Sequence, residues 1–409
     1  MVLWLISLAW LPHLPLSAES PWIPVGPLGG DIQGLAVNPT NPSEMYAAVS
    51  ASPSRIYKSD DAGQTWSLKA LLNTRLYHAA VAPSNPNIVY ALGVLSVYKS
   101  TDRGATWKEY PLGASRNGYY GEIVVSRTNP ALVYACGYYS YSAGNFCPAV
   151  FKSVDGAASW SVKALSSSST SGYANALALD PGNDGVLYVG GYDSDGSKAT
   201  MRVFKSINGG DSWVEISGSI EGYPGSIAVD GNSTSRVYVA TSWGVFRSEN
   251  GGQTWAKNSG IVYAYAVAID PANSNNLFAG YTAACYKSTD GGINWTQSSA
   301  GLYGNCSNLL FAPSLVYYAS TTGIYKSSDG GVTWQASYSG ISAAQVPALA
   351  VASSSPNVLY AEVQGDGFFK SDSFGLSWQR LPDFYRCDAV RKIAVNPGDA
   401  DSLFVLSGG

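Results

Sequence analysis

Charge is the first thing this 409-residue chain lacks. Asp, Glu, Lys and Arg make up 13% of it, about half the usual share of roughly 25%. With 24 Lys+Arg and a formal net charge of −4, it carries no basic footprint for nucleic acid. There are 2 histidines, His13 in the N-terminal stretch and His78, and 3 methionines. Histidine-based metal or triad chemistry therefore has almost nothing to work with. Nothing in the sequence calls for a cofactor or a metal. A hydrophobic fraction of 46% excludes a disordered chain. Apolar repeats at a spacing of 3.6 are absent, which excludes an architecture built on amphipathic helices. The only long apolar run is Val2–Leu11.

That run is followed by Pro12, Pro15 and the small pair Ser17-Ala18. It reads as residues 1–18 of a secretory leader, too short to span a bilayer comfortably. Residues 19–409 are then the mature domain, secreted, periplasmic or on the cell surface, with no membrane span after leader removal. Cysteine usage fits an oxidising compartment. Cys136 and Cys147 flank a long loop and are expected to pair, as are Cys285 and Cys306. Cys387 is left over.

What the chain has in abundance is glycine (44), tyrosine (28) and tryptophan (12). The tryptophans mark a repeat. Trp66, Trp107, Trp160, Trp213, Trp255, Trp295, Trp334 and Trp378 are spaced by 41, 53, 53, 42, 40, 39 and 44 residues. Each closes an octet of the form Ser-x-Asp-x-Gly-x-Thr-Trp. The clearest are Ser59–Trp66, Ser100–Trp107, Ser288–Trp295 and Ser327–Trp334. In weaker copies Ala157 replaces Gly, Asn208 and Asn250 replace Asp, and Ser373 replaces Asp. Short apolar runs precede each octet, as in Leu177-Ala-Leu-Asp-Pro181 and Val186-Leu-Tyr-Val189. Four short strands per repeat predict an all-β fold, a single β-propeller of four-stranded blades.

The octet resembles the Asp-box, or BNR, repeat of sialidases, sortilin-type receptors, xyloglucan-cleaving glycosidases and photosystem II assembly-factor propellers. The resemblance extends from about residue 21 to the end. It implies the propeller fold and leaves the function open, because these relatives do unrelated work. Residue by residue, two enzyme families fit poorly. The Arg-Ile-Pro motif expected of sialidases reads Trp22-Ile-Pro-Val here, with no Arg before Arg55. The catalytic Asp expected of the xyloglucan-cleaving family is missing from Met45-Tyr-Ala-Ala-Val-Ser50.

Box Asp residues have a structural reason: a tight hairpin needs a side-chain acceptor to hold its backbone, and glycine where φ is positive. Asp61, Asp102, Asp155, Asp290 and Asp329 are therefore read as turn-holding residues, each turn being too poor in oxygens for calcium. Eight octets and nine apolar first-strand units predict about eight blades, with nine possible. The Trp22 strand would join the last strands to close the ring, or the chain is a segment of a larger surface protein.

The connectivity sends strand 1–2 turns and octets to one face of the ring. The 2–3 loops and inter-blade links go to the other. That second face is rich in tyrosine, which offers a flat apolar ring with a polar tip. Tyr119, Tyr120, Tyr138, Tyr139, Tyr141, Tyr192 and Trp243 are the expected binding residues for a protein or glycan ligand. Acids expected near the same face are Glu122, Asp193, Asp195, Glu221, Glu362, Asp366 and Asp388. A glycoside hydrolase built on some pair of them is the alternative function.

Overall fold

The computed structural model describes residues 31–407 apart from short stretches, the longest being 114–120, 338–347, 373–378 and 382–389. All regular elements among the described residues are strands. They form eight four-stranded antiparallel sheets, each of four consecutive strands, and one two-stranded hairpin. The leader, Trp22, Tyr119, Tyr120, Asp195, Asp366, Trp378, Cys387 and Asp388 lie outside the described residues, and so do the side chains of Tyr141 and Glu362.

The ring has seven blades, not eight. Blades 1 to 7 occupy residues 31–72, 76–111, 123–164, 171–215, 224–257, 266–297 and 306–336. First strands pack against first strands around the ring, so they line the channel. Blade 7 closes directly on blade 1. One buried cluster joins Ile32, Leu35, Met45, Ala47, Val49 and Tyr57 of blade 1 to Tyr317, Ala319 and Ile324 of blade 7. Trp66 Nε1 donates to Ser337 O at 2.8 Å and the Tyr317 hydroxyl to Ala62 O at 2.8 Å. Six further clusters of the same kind fill the other six junctions. Blade 1 contains all four of its strands in sequence, so this junction borrows no strand from elsewhere in the chain. The eighth four-stranded sheet (residues 348–380) and the hairpin Val390–Asn396/Asp399–Ser407 fall outside this closure and pack on one another. Counting repeats could not reveal this, because closure depends on which two faces meet.

A recurring bond between blades accounts for much of the tyrosine. The second strand of most blades carries a fully buried Tyr whose hydroxyl crosses to the next blade. Tyr134 donates to Gly209 O (3.0 Å), Tyr188 to Gly251 O (3.4 Å) and Tyr238 to Gly291 O (2.7 Å). Phe278 takes this place in blade 6 and packs edge-on against Trp334 of blade 7. Third-strand lysines make the same crossing: Lys99 to Gly156 O, Lys205 to Gly251 O and Lys287 to Gly330 O, all at 2.8–2.9 Å. Each buried aromatic removes a large apolar surface from water while satisfying its one polar atom.

The octets form the same bond set in all seven blades. In blade 2, Ser100 Oγ donates to Asp102 Oδ1 (2.7 Å) and accepts from Gly104 N (2.7 Å). Asp102 accepts from Thr106 N (2.8 Å) and Thr106 Oγ1 (2.5 Å). Gly104 has φ 82°, which explains the glycine; Ala157 holds the same place in blade 3 with φ 75°. Asn208 and Asn250 keep the Oδ1 bond but reverse the other, donating from Nδ2 to Ser212 Oγ and Thr254 Oγ1 at 2.8 Å. These charge-assisted bonds hold the carboxyls of Asp102, Asp155 and Asp290 down to about 2.

The expected disulfides are absent: Cys136, Cys147, Cys285 and Cys306 are buried free thiols. Strand register explains the first pair. Cys136 lies opposite Val150, and Cys147 opposite Tyr139. Three residues of offset are about 10 Å along a strand, beyond the reach of roughly 7 Å between Cα atoms. Cys285 and Cys306 sit in one apolar cluster between blades 6 and 7, where they pack as small apolar side chains. Burial pushes both thiols up, which disfavours the reactive thiolate.

Candidate functional site

Hydrogen bonds fix the two faces. Octet backbone amides bond to the strand 1–2 turn of their own blade, as in Arg103 N to Asn87 O and Gly251 N to Ser235 O. On the opposite face the inter-blade links bond to the 2–3 turns, as in Ser242 N to Tyr223 O and Ala264 N to Thr241 O. The loop face is therefore where the sequence places it.

Exposed aromatics gather on one part of that face. Tyr223 (51% exposed) and Trp243 (54%) belong to blade 5; Tyr263 (47%) and Tyr265 (41%) lead into blade 6. Neighbouring rings extend this arc. Tyr173 and Tyr192 of blade 4 meet edge-on at 4.4 Å, and Tyr192 meets Tyr223 at 5.9 Å. Tyr281 stacks on Tyr263 at 5.1 Å and tilts against Tyr265 at 4.9 Å. Lys257 Nζ lies 5.6 Å from the centre of the Trp243 ring, a cation–π contact that steadies an exposed indole. Burial raises the hydroxyls of Tyr173 and Tyr265, and neighbouring tyrosines raise them further, so both rings stay neutral hydrogen-bonding groups.

The structure divides the predicted binding residues. Tyr192 and Trp243 stand in the arc. Tyr138 is half-buried, its ring 5.0 Å from Phe146, and Tyr139 is half-buried against the core between blades 2 and 3. Both lie on the long hairpin Val133–Ser142/Asn145–Ser153 of blade 3. Tyr265 and Tyr281 escaped the sequence reading. Tyr265 precedes the first strand of blade 6, Ala266–Ile269, and Tyr281 ends its second. Aligning repeats by their second strands would have found both.

The acids of this face are mostly engaged. Glu122 opens the first strand of blade 3, retains some contact with the channel, and is otherwise surrounded by protein. Its Oε2 accepts from Leu177 N of blade 4 at 2.7 Å. Burial raises its carboxyl to about 8 against the pull of that bond. Asp193 is buried and pairs with Arg202 Nε at 3.2 Å, in the twin long hairpin of blade 4. Glu221 is exposed on the link before blade 5. No group of three or more His, Cys, Asp or Glu able to hold a metal ion occurs among the described residues.

His78 lies in the first strand of blade 2, at the channel wall. Its Nε2 is 3.2 Å from Asn308 Nδ2 of blade 7, Nδ1 is buried with no hydrogen-bond partner, and the backbone of Ile123 lies beside the ring. Burial lowers its imidazole to about 4, so it is neutral at physiological pH.

No protein-family model matches the chain, and no curated protein matches it in sequence. Solved structures do. An ancestral GH74 enzyme superposes on 95% of this chain and 60% of its own length, with TM-score 0.70 and 18% identity. The GH74 xyloglucanase of Xanthomonas campestris covers 92% of this chain and 71% of its own, with TM-score 0.54 and 18% identity. YCF48 bound to a D1 peptide covers 77% of this chain and 98% of its own, with TM-score 0.55 and 16% identity. The chain spans 60% of the length of the ancestral enzyme. At these identities the likeness is one of fold.

Proposed function

We propose that this protein is an exported, non-catalytic Asp-box propeller that binds a protein or glycan through the aromatic arc of blades 4–6. The observation that carries the reading is the clustering of Tyr223, Trp243, Tyr263 and Tyr265, all more than two-fifths exposed, at one side of the channel mouth. Large exposed aromatic rings cost little side-chain entropy on binding and supply much of the energy at such surfaces. Propellers of the same fold include glycan-cleaving GH74 enzymes and a YCF48 caught with a peptide, which agrees with both ligand classes. Export is supported by the apolar stretch Val2–Leu11 and the small residues after it. The test is a glycan array and a displayed peptide library, probed with the mature chain and with Trp243→Ala and Tyr265→Ala. Binding that both variants reduce at least tenfold supports the reading. Binding unchanged by either variant rejects the arc.

A glycoside hydrolase is the second reading, favoured by one observation: Glu122 is a channel-wall carboxyl raised to about 8, as a proton-donating acid would need. The partner carboxylate would have to stand about 5–9.5 Å away, and Asp193 is already held by Arg202. Turnover of a neutral β-glucan or sialoside that disappears in Glu122→Gln would establish this reading. Inactivity across a broad panel would remove it.

A further inference from the structure

Ladder register puts one first-strand position of every blade at the same level of the channel, opposite the second residue after the second-strand Tyr or Phe. In blades 7, 1, 2 and 3 this position holds Asn308, Gly34, His78 and Glu122, opposite Ala319, Ala48, Leu92 and Cys136. In blades 4, 5 and 6 it holds Ala176, Ser226 and Ala266. The ring thus splits into two contiguous arcs. One carries the large polar side chains. The other has small residues at this level, and the exposed aromatics stand within a few residues of it.

Gly34 is what joins the polar arc. A Cβ there would lie 2.6 Å from His78 Cα, so blades 1 and 2 approach too closely for any side chain. With that position empty, Asn308 of blade 7 reaches past blade 1 to His78 of blade 2. His78 in turn faces the backbone of Ile123, the residue after Glu122. Three hydrogen-bonding side chains from three blades therefore line one wall.

We propose that the channel mouth is a site for an uncharged oligosaccharide, whose sugar faces stack on the aromatic arc and whose hydroxyls reach Asn308 and Glu122, with His78 holding the Asn308 amide in place. This rests on the proposed binding role of the aromatic face and narrows it to one ligand class. A pyranose ring has an apolar C–H face and a rim of hydroxyls, which is the pairing these two walls offer. None of the seven equivalent positions is Lys or Arg, so nothing at this level pairs with the carboxylate of an acidic sugar. Burial keeps Glu122 largely protonated near pH 7 and His78 neutral behind Asn308, so the carboxyl and amide that the wall presents are uncharged.

The experiment is calorimetric titration of the full chain with four neutral hexasaccharides (cellohexaose, xylohexaose, maltohexaose and mannohexaose), alongside 3′-sialyllactose and hexagalacturonate as acidic probes. At least one neutral hexasaccharide is expected to bind, at least tenfold tighter than either acidic probe. His78→Ala and Asn308→Ala should each weaken it about tenfold; His78→Gln and Asn308→Asp serve if the alanine variants fail to fold. Binding of no neutral hexasaccharide, equal or tighter binding of an acidic probe, or wild-type affinity in the folded His78 and Asn308 variants overturns the proposal. Loss of sugar binding in Trp243→Ala with wild-type affinity in the His78 and Asn308 variants sinks the inference and leaves the aromatic face standing. Wild-type sugar binding in Trp243→Ala sinks both.

Discussion

Two tryptophans of blade 5, twelve residues apart in sequence, show how differently the two ends of one blade are used. Trp255 closes the octet, is buried, and donates from Nε1 to Ile216 O of blade 4 at 2.8 Å. Trp243 sits in the 2–3 turn with over half its surface in water. The octet face repeats one bond set seven times, and what repeats in every blade serves what every blade must do, which is pack against the next. The loop face differs from blade to blade. Function is read from that difference, because a rigid scaffold leaves its variable loops free to specialise.

The largest expected effect breaks the octet end. Trp255→Ala should cost about 3–5 kcal/mol of stability, the usual range for deleting a buried large aromatic, read as a lower denaturant midpoint. At the loop end, Trp243→Ala and Tyr265→Ala should change stability by no more than about 0.5 kcal/mol while weakening ligand at least tenfold. A milder probe of the inter-blade bond is Tyr238→Phe. It keeps the ring and removes the hydroxyl given to Gly291 O, for a cost of about 1 kcal/mol.

Acid separates the two ends by pH window. Asp102, Asp155 and Asp290 are held near 2 in the fold, below the unfolded value of about 3.9. Their stabilisation is present above about pH 4 and is lost as pH falls through 2. In the channel, His78 is lowered to about 4, so its contribution falls as pH drops from about 6.5 to 4. Glu122 is raised to about 8, so its contribution grows as pH drops from 8 toward 4.5. The two oppose each other there, and the steep loss should come only below pH 4. A triple Asp102→Asn, Asp155→Asn, Asp290→Asn variant should flatten that loss in urea titrations. The smallest effect is Asp102→Asn alone at neutral pH, a denaturant midpoint close to wild type, since Asn208 and Asn250 already hold the same turn.

The octet end was legible in the sequence because its chemistry is local. Ser100, Asp102, Gly104 and Thr106 meet within one turn, so spacing alone predicts their bonds. Blade number was not, because closure depends on Ile32 and Tyr57 meeting Tyr317 and Ile324 across almost three hundred residues. Tyrosine misled in part. Tyr46, Tyr90, Tyr134, Tyr188, Tyr238 and Tyr317 are fully buried and belong to the fold, and they repeat at one place in the second strand. The tyrosines of the arc, such as Tyr265 and Tyr281, break that repeat. Cysteine misled because loop flanking says nothing of register, and Cys136 faces Val150 rather than Cys147.

The most direct test is to measure ligand affinity and unfolding free energy together for Trp243→Ala and Trp255→Ala, using whichever glycan or peptide the wild-type chain binds. The expected result is crossed. Trp243→Ala keeps wild-type stability and loses at least tenfold in affinity. Trp255→Ala loses about 3–5 kcal/mol of stability and, where folded, binds as wild type. Full affinity in Trp243→Ala at unchanged stability would contradict the claim that the loop face of blades 4–6 is the binding surface.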